Sequence, residues 1–193
     1  MIDEKLLEEY AKLAIRVGVN VQKGQMLLIQ GPVEAYDLIR LCTKEAYKAG
    51  ASKVMIDYRD GDVTRMNYEY VDTDVLKEVP EWSKDKMRYI IEHKACMLNI
   101  SSDDPDLLNG IDSEKISAVR KERMKANKEF QYYTMSNVGQ WSIVAYPNLK
   151  WAKKVFPDLN DEEAYTKLWE AILYTSRVKA NEDVIKAWDD HNK

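Results

Sequence analysis

The chain has 193 residues, 45% of them hydrophobic and 32% charged, with a formal net charge of −4. That length suits one domain with a small appendage, and the apolar share supports a real core and excludes a disordered chain. The acidic balance argues against nucleic acid, whose phosphates require a basic face, and no apolar segment approaches the roughly 20 residues needed to span a bilayer.

The N-terminus, "MIDEKLLEEY", carries acids where a signal peptide would carry bases ahead of an apolar stretch, so a cytoplasmic location is expected. Leu6, Leu7, Tyr10, Ala11, Ala14 and Val17 recur at helical spacing, which predicts an amphipathic helix with Gly18 as its C-terminal cap. Lys23-Gly24 turns the chain into "QMLLIQ", a short apolar run suited to a strand covered on both faces. A long helix, "VEAYDLIRLCTKEAYKAG", follows and closes at Gly50, and "SKVMIDY" is the second strand. The segment "RDGDVTRMNYEYVDTD" reads as irregular, and "EWSKDKMRYIIEHKA" reads as a helix. "CMLNIS" is the third strand, with "SDDPDLL" as its turn. Asp112 or Ser113 caps a helix over "SEKISAVRKERMKANKEF", and "QWSIVAY" is the fourth strand, stopped by Pro147. The expected strands are 25–30, 53–58, 95–101 and 140–146. This alternation predicts an α/β fold, a three-layer α/β/α sandwich of Rossmann-like architecture with a mostly parallel sheet, plus C-terminal helices. The expected division is a sandwich over 1–158 and a helical extension over 159–193.

In that extension Asn160 caps a helix with Ala164, Tyr165, Leu168, Trp169, Ile172 and Leu173 on one stripe. Asn181 caps a second, with Val184, Ile185 and Trp188 on one face. The last helix meets no Gly, Pro or closing turn, so the chain reads as cut within an amphipathic pattern. Its apolar face is then exposed, folded back on the sheet domain, or buried against another copy.

Chemistry is sparse. Cys42 and Cys96 sit in apolar runs that predict buried, reduced thiols. His93 and His191 are far apart in sequence, which argues against a zinc site, and His93 at a helix end reads as structural. Asp57, Asp60 and Asp62 follow the second strand, and Asp103, Asp104 and Asp106 follow the third, where open α/β sheets bind ligands. A Mg²⁺ ligand set is one reading, and the turn and helix-start preference of Asp is the favoured one. The turn "QGPVEAY" lacks the G-x-G-x-x-G and P-loop patterns. Ser101, Ser102 and Ser142 have no nearby candidate base. Tyr68, Tyr70, Tyr132, Tyr133, Trp141, Tyr146 and Trp151 either line a pocket or interface or pack helices onto the sheet, with packing favoured.

Several landmarks occur together in one order. "YAKLAIRVGVNVQKGQMLLIQGPVEAYDLIRLCTKEAYKAGASKVMIDYRD" carries a G-V-N-x-Q-x-G-Q turn and an A-Y-x-x-G-A-x-x-V helix-to-strand passage. "VPEW" near Trp82, "ISSDDPDLL", "WSIVAYPNLKWAKKVFPD" and "NEDVIKAWDDHNK" follow. In these the chain resembles, over essentially its whole length, the N-terminal half of the thermophilic-type metallo-aminopeptidases, the aminopeptidase T, aminopeptidase S and PepS group. The resemblance implies an exopeptidase that removes N-terminal residues from peptides with a pair of divalent metal ions (Co, Zn or Mg), and a homodimer. It places the Glu, His and Asp metal ligands in a C-terminal half beyond these residues. No catalytic or metal-ligating position is therefore assigned here, the substrate-binding residues stay unassigned, and the chain alone is expected to bind no metal and to be inactive. The alternative is a free-standing α/β binding or interaction module without catalysis.

Overall fold

The computed structural model describes residues 2–180 and 182–191. Four strands, β1 (Met26–Pro32), β2 (Lys53–Arg59), β3 (Cys96–Ser101) and β4 (Trp141–Ala145), form one sheet in the order β2-β1-β3-β4. Every neighbouring pair is parallel. All four expected strands are present within about two residues of their predicted bounds, the usual uncertainty of element ends.

The helices are α1 (Glu4–Lys12), α2 (Tyr36–Lys48), α3 (Gly61–Tyr70), α4 (Thr73–Lys77), α5 (Glu81–Glu92), α6 (Ser113–Ala126), α7 (Lys128–Met135), α8 (Leu149–Val155), α9 (Asp161–Thr175) and α10 (Val184–His191). Their starts follow local chemistry. Asp3, Asp60, Asp112 and Asn148 each accept a backbone N–H of the first turn, and Asn160 forms a capping box with Glu163. Of the two caps proposed for α6, Asp112 is the one used. Asn181 lies outside the described residues.

The sheet is covered on both faces. Leu27 and Ile29 of β1 and Cys96, Leu98 and Ile100 of β3 point into the larger core, which takes residues from α1, α2 and α9. Met26, Leu28 and Met97 point the other way, against Ile90 of α5 and Phe130 of α7. Both cysteines are free and buried. The period-2 alternation along β1 thus feeds two separate cores, which makes the three layers.

Four expectations need correction. Gly18 does not cap α1. The helix runs on as a π-helix over Leu13–Gly18, the turn is made at Asn20 (φ 47), and Gly18 is where the backbone meets β4. A Cβ there would lie 2.8 Å from Ser142 Oγ. The segment after β2 is helical as α3 and α4, because Asp60 caps it and Tyr68 buries its ring. The helix expected over residues 113–130 breaks at Asn127, whose N–H bonds to Arg123 O while its C=O starts α7. Finally, Tyr68, Tyr133 and Tyr146 are buried, but Tyr70 and Tyr132 are 83% and 71% exposed and Trp141 is 41% exposed.

The last helix is folded back on the sheet domain. Val184 is buried, Ile185 and Trp188 pack against the larger core, and Trp188 Nε1 donates to Ser176 O at 3.0 Å.

Candidate functional site

From β1 the chain crosses outward to β2, then returns past β1 to build β3 and β4 on the other side. The loops leaving β1 and β3 therefore diverge, and a crevice opens at the carboxyl ends of the strands. A cleft of about 620 Å³ occupies that place, lined by the ends of β1, β2 and β3, by Tyr146 and Pro147 just after β4, and by the first turns of α3 and α8.

Two of the acids after β2 and two after β3 meet here. Asp60, Asp62, Asp103 and Asp104 all line the cleft. Lys150, at the start of α8, joins the two sets, with Nζ 3.4 Å from Asp62 Oδ1 and 3.3 Å from Asp104 Oδ2. The Asp104 hydrogen bond, ahead of Asp62, raises the ammonium's pKa. Asp60 is engaged as the cap of α3, accepting from Val63 N at 3.0 Å, and Asp103 accepts from Ser101 Oγ at 2.9 Å. Ser102 is held by Asn148, whose Nδ2 donates to Ser102 O at 2.6 Å. Arg59 donates to Asn99 Oδ1 at 2.6 Å, and Arg123 and Glu34 add charge of both signs to the rim.

The other two acids go elsewhere. Asp57 lies on β2 with Lys86 as its partner. Asp106 pairs with Lys154 at 2.6 Å, which lowers its pKa. The basic residues of the cleft were missed as site residues by sequence reasoning. The signal was present in "NLKWAKK", where a lysine follows the cap of a helix that has to start at the sheet's carboxyl edge.

Tyr146 forms the back of the cleft and separates it from a second hollow of about 480 Å³ lined by Tyr36, Asp37, Arg40, Tyr165 and Trp169. Its hydroxyl donates to Asp37 Oδ2 at 3.3 Å, and its ring meets Trp169 edge-on at 5.1 Å. Burial, with Tyr165 and Asp37 adding to it, pushes the phenol up and keeps it protonated.

The donor set does not fit a pair of metal ions. Among the described residues no group of three or more His, Cys, Asp or Glu side chains is arranged to hold one. Each cleft acid after β2 and β3 already has a partner, and the histidines sit away from the cleft. His93 closes α5 with Nδ1 at 2.8 Å from Tyr89 O, and His191 packs on Trp188. Among the described residues no helix is long and apolar enough to cross a membrane.

An open parallel α/β sheet with a charged crevice at its switch point is the class that fold and site define. Within it the chain belongs to the thermophilic metalloprotease (M29) family, whose model matches residues 3–193. It is 38% identical over 188 residues to aminopeptidase AmpS of Bacillus subtilis, covering 97% of this chain and 45% of that protein. Aminopeptidase T of Thermus thermophilus is 37% identical over 187 residues, with 97% and 46% covered. The solved wild-type AmpT from Thermus thermophilus superposes with a TM-score of 0.87 at 35% identity, over 98% of this chain and 46% of that one. The chain thus spans less than half the length of these relatives and corresponds to an N-terminal portion of them.

Proposed function

We propose that this chain is the N-terminal domain of a dinuclear-metal aminopeptidase that removes N-terminal residues from peptides. The observation that carries the reading is the family match along residues 3–193, together with relatives named as aminopeptidases that are more than twice as long. In this reading an exopeptidase using Co²⁺, Zn²⁺ or Mg²⁺ takes its ligands from the other part of the protein. In this reading residues 1–158 are the sandwich domain and 159–193 a helical extension leading toward the metal-binding domain. The chain acts in the cytoplasm on peptides, as part of a homodimer, and by itself is inactive. What its own residues contribute is one wall of the substrate space. Lys150 ties the loops after β2 and β3 into a fixed edge, and Asn148 holds Ser102 against the same edge.

Two constructions test this with leucine p-nitroanilide as substrate. The first is the 193-residue chain alone with added Co²⁺, Zn²⁺ or Mg²⁺. The second replaces the aligned portion of Bacillus subtilis AmpS by this chain. Turnover by the chimera and none by the chain is the expected result. Turnover by the chain alone, or stoichiometric micromolar metal binding to it in calorimetry, overturns the assignment of the ligands. A folded but inactive chimera favours a free-standing binding module instead.

A further inference from the structure

Lys150 shows how the cleft at the carboxyl ends of the strands holds an ammonium. Its Nζ lies between one acid of the loop after β2, Asp62, and one of the loop after β3, Asp104. The same two loops bring a second pair of acids to that cleft, Asp60 and Asp103, and no cation among the described residues answers them. Their partners are neutral. Asp60 Oδ1 accepts from Val63 N and Asp103 Oδ2 from Ser101 Oγ, which leaves Asp60 Oδ2 and Asp103 Oδ1 without a donor among the described residues. Arg59 is their counterpart of opposite sign. It reaches from the end of β2 across β1 to β3, where Nη2 donates to Asn99 Oδ1 at 2.6 Å and to Ile100 O at 3.4 Å. Its Nε and Nη1 meet no acceptor among the described residues, and no carboxylate there pairs with it. One cleft thus holds charges of both signs, each fixed by a neutral group and none neutralised by the other.

We propose that this cleft binds the zwitterion of a free, apolar α-amino acid, its ammonium on Asp60 and Asp103 and its carboxylate on Arg59. A bare anion would lie beside two carboxylates and a bare cation beside the guanidinium, and like charges so placed repel; a zwitterion supplies the complement to each through charge-assisted hydrogen bonds. The spacing favours one amino acid over a peptide. Arg59 is tied to Ile100 O and Asp103 to Ser101 Oγ, so the two charges are anchored on adjacent residues of β3, whose Cα atoms lie about 3.8 Å apart. An ammonium and a carboxylate on one carbon match that closeness, whereas each further residue of a peptide moves them about 3.3–3.6 Å apart. Pro32, Ile100, Leu107 and the Tyr146 ring line the remainder of the cleft and suit an aliphatic side chain. A divalent cation is not the ligand, because among the described residues no three acids, histidines or cysteines converge to hold one. The source of the amino acid rests on the proposed function, since an aminopeptidase releases one at each turnover. Binding itself is read on this chain alone, whether or not the chimera with Bacillus subtilis AmpS turns over.

L-Leucine titrated into the 193-residue chain, followed by amide-resolved NMR, is expected to give saturable shifts at the ends of β2 and β3 with a Kd of about 1 mM. Leucinamide lacks the carboxylate and N-acetyl-leucine lacks the ammonium, and each should bind at least about tenfold more weakly. Arg59→Gln should weaken leucine by at least about tenfold and leave leucinamide unchanged, because that probe has no carboxylate for Arg59 to hold. Asp103→Asn should weaken leucine and leave N-acetyl-leucine unchanged. Both side chains are exposed, and thermal melts that match the wild type check that the variants fold. Should Arg59→Gln fail to fold, Asp103→Asn and the two blocked leucines still decide. No saturable shift up to about 20 mM leucine, well above the millimolar affinity expected, overturns the proposal. So do shifts confined to residues outside the cleft, a blocked leucine that binds as well as leucine, or leucine binding indifferent to both substitutions. Tighter binding of the dipeptide Leu-Gly than of leucine also overturns it, since the cleft would then hold the ends of a peptide.

Discussion

Replacing Tyr10 by Phe removes one oxygen and nothing else from the join between α1 and β4. The Tyr10 ring is 1% exposed and meets Trp169 edge-on at 6.1 Å, a contact that Phe keeps. The hydroxyl serves both backbone groups of Ala145, donating at 2.8 Å and accepting at 3.0 Å. Each bond is worth on the order of 1 kcal/mol net, and a buried group left unpaired costs its desolvation as well. Ala145 is only partly buried, so water can reach some of what is vacated, and the sum stays near about 2 kcal/mol. For a chain of this size that corresponds to a melting temperature lower by about 4–8 °C. Urea unfolding of wild type and Tyr10→Phe measures the first quantity, and a thermal melt the second. Hydrogen exchange adds a local readout, because the Ala145 amide should lose protection more than amides in the interior of β1. A stability change below about 0.5 kcal/mol, within the scatter of ordinary surface substitutions, with Ala145 exchange unchanged, would refute the argument that Tyr10 seals this edge.

Gly18→Ala should cost about 1–3 kcal/mol through overlap with Ser142, and Ser142→Gly in the same chain should recover most of it in urea unfolding. Trp188→Glu should lower the denaturation midpoint of the whole domain by the equivalent of about 2 kcal/mol, because the ring packs on the shared core; an unchanged midpoint would make α10 independent of that core. Alkali should destabilise the fold. Burial pushes the Tyr10 phenol and the Cys96 thiol each up to about 12, so the folded state keeps protons that the unfolded state releases from about pH 9 for the thiol and pH 10 for the phenol. The stability is complete below those values and is lost as pH rises toward 12, at about 1.4 kcal/mol per pH unit for each group. Tyr10→Phe should flatten the part of this slope above pH 10, as read from urea midpoints between pH 8 and 11.5, the range bracketed by those pKa values.

Half of the candidate cleft is legible in the amino-acid sequence. The acid clusters after the second and third strands are visible as Asp60, Asp62, Asp103 and Asp104, and the alternation of elements says that they leave the same edge of a parallel sheet. Their use is not visible. Lys150 is some 50 residues from one cluster and nearly 90 from the other, and only the strand order brings it between them. Asp57 and Asp106 look the same as their neighbours in sequence, yet one turns to Lys86 and the other to Lys154. A one-residue step along a strand reverses the face, so proximity in sequence does not mean proximity in the site.

The amino-acid sequence by itself determined the four strands, most of the helices and their caps, the burial of both cysteines and the family likeness, because each follows from short-range pattern or from an ordered set of local landmarks. Tertiary structure alone decided matters that depend on which surfaces meet. Gly18 reads as a helix stop but is a close approach to Ser142, and the segment after β2 is helical because Tyr68 finds a place to bury. Tyr70 and Tyr132 match buried tyrosines in composition and context but face solvent. The final helix closes on its own domain through Val184 and Trp188. Periodicity states that a face is apolar, and burial of that face is a property of two surfaces, the second of which comes from residues more than a hundred positions away in the chain.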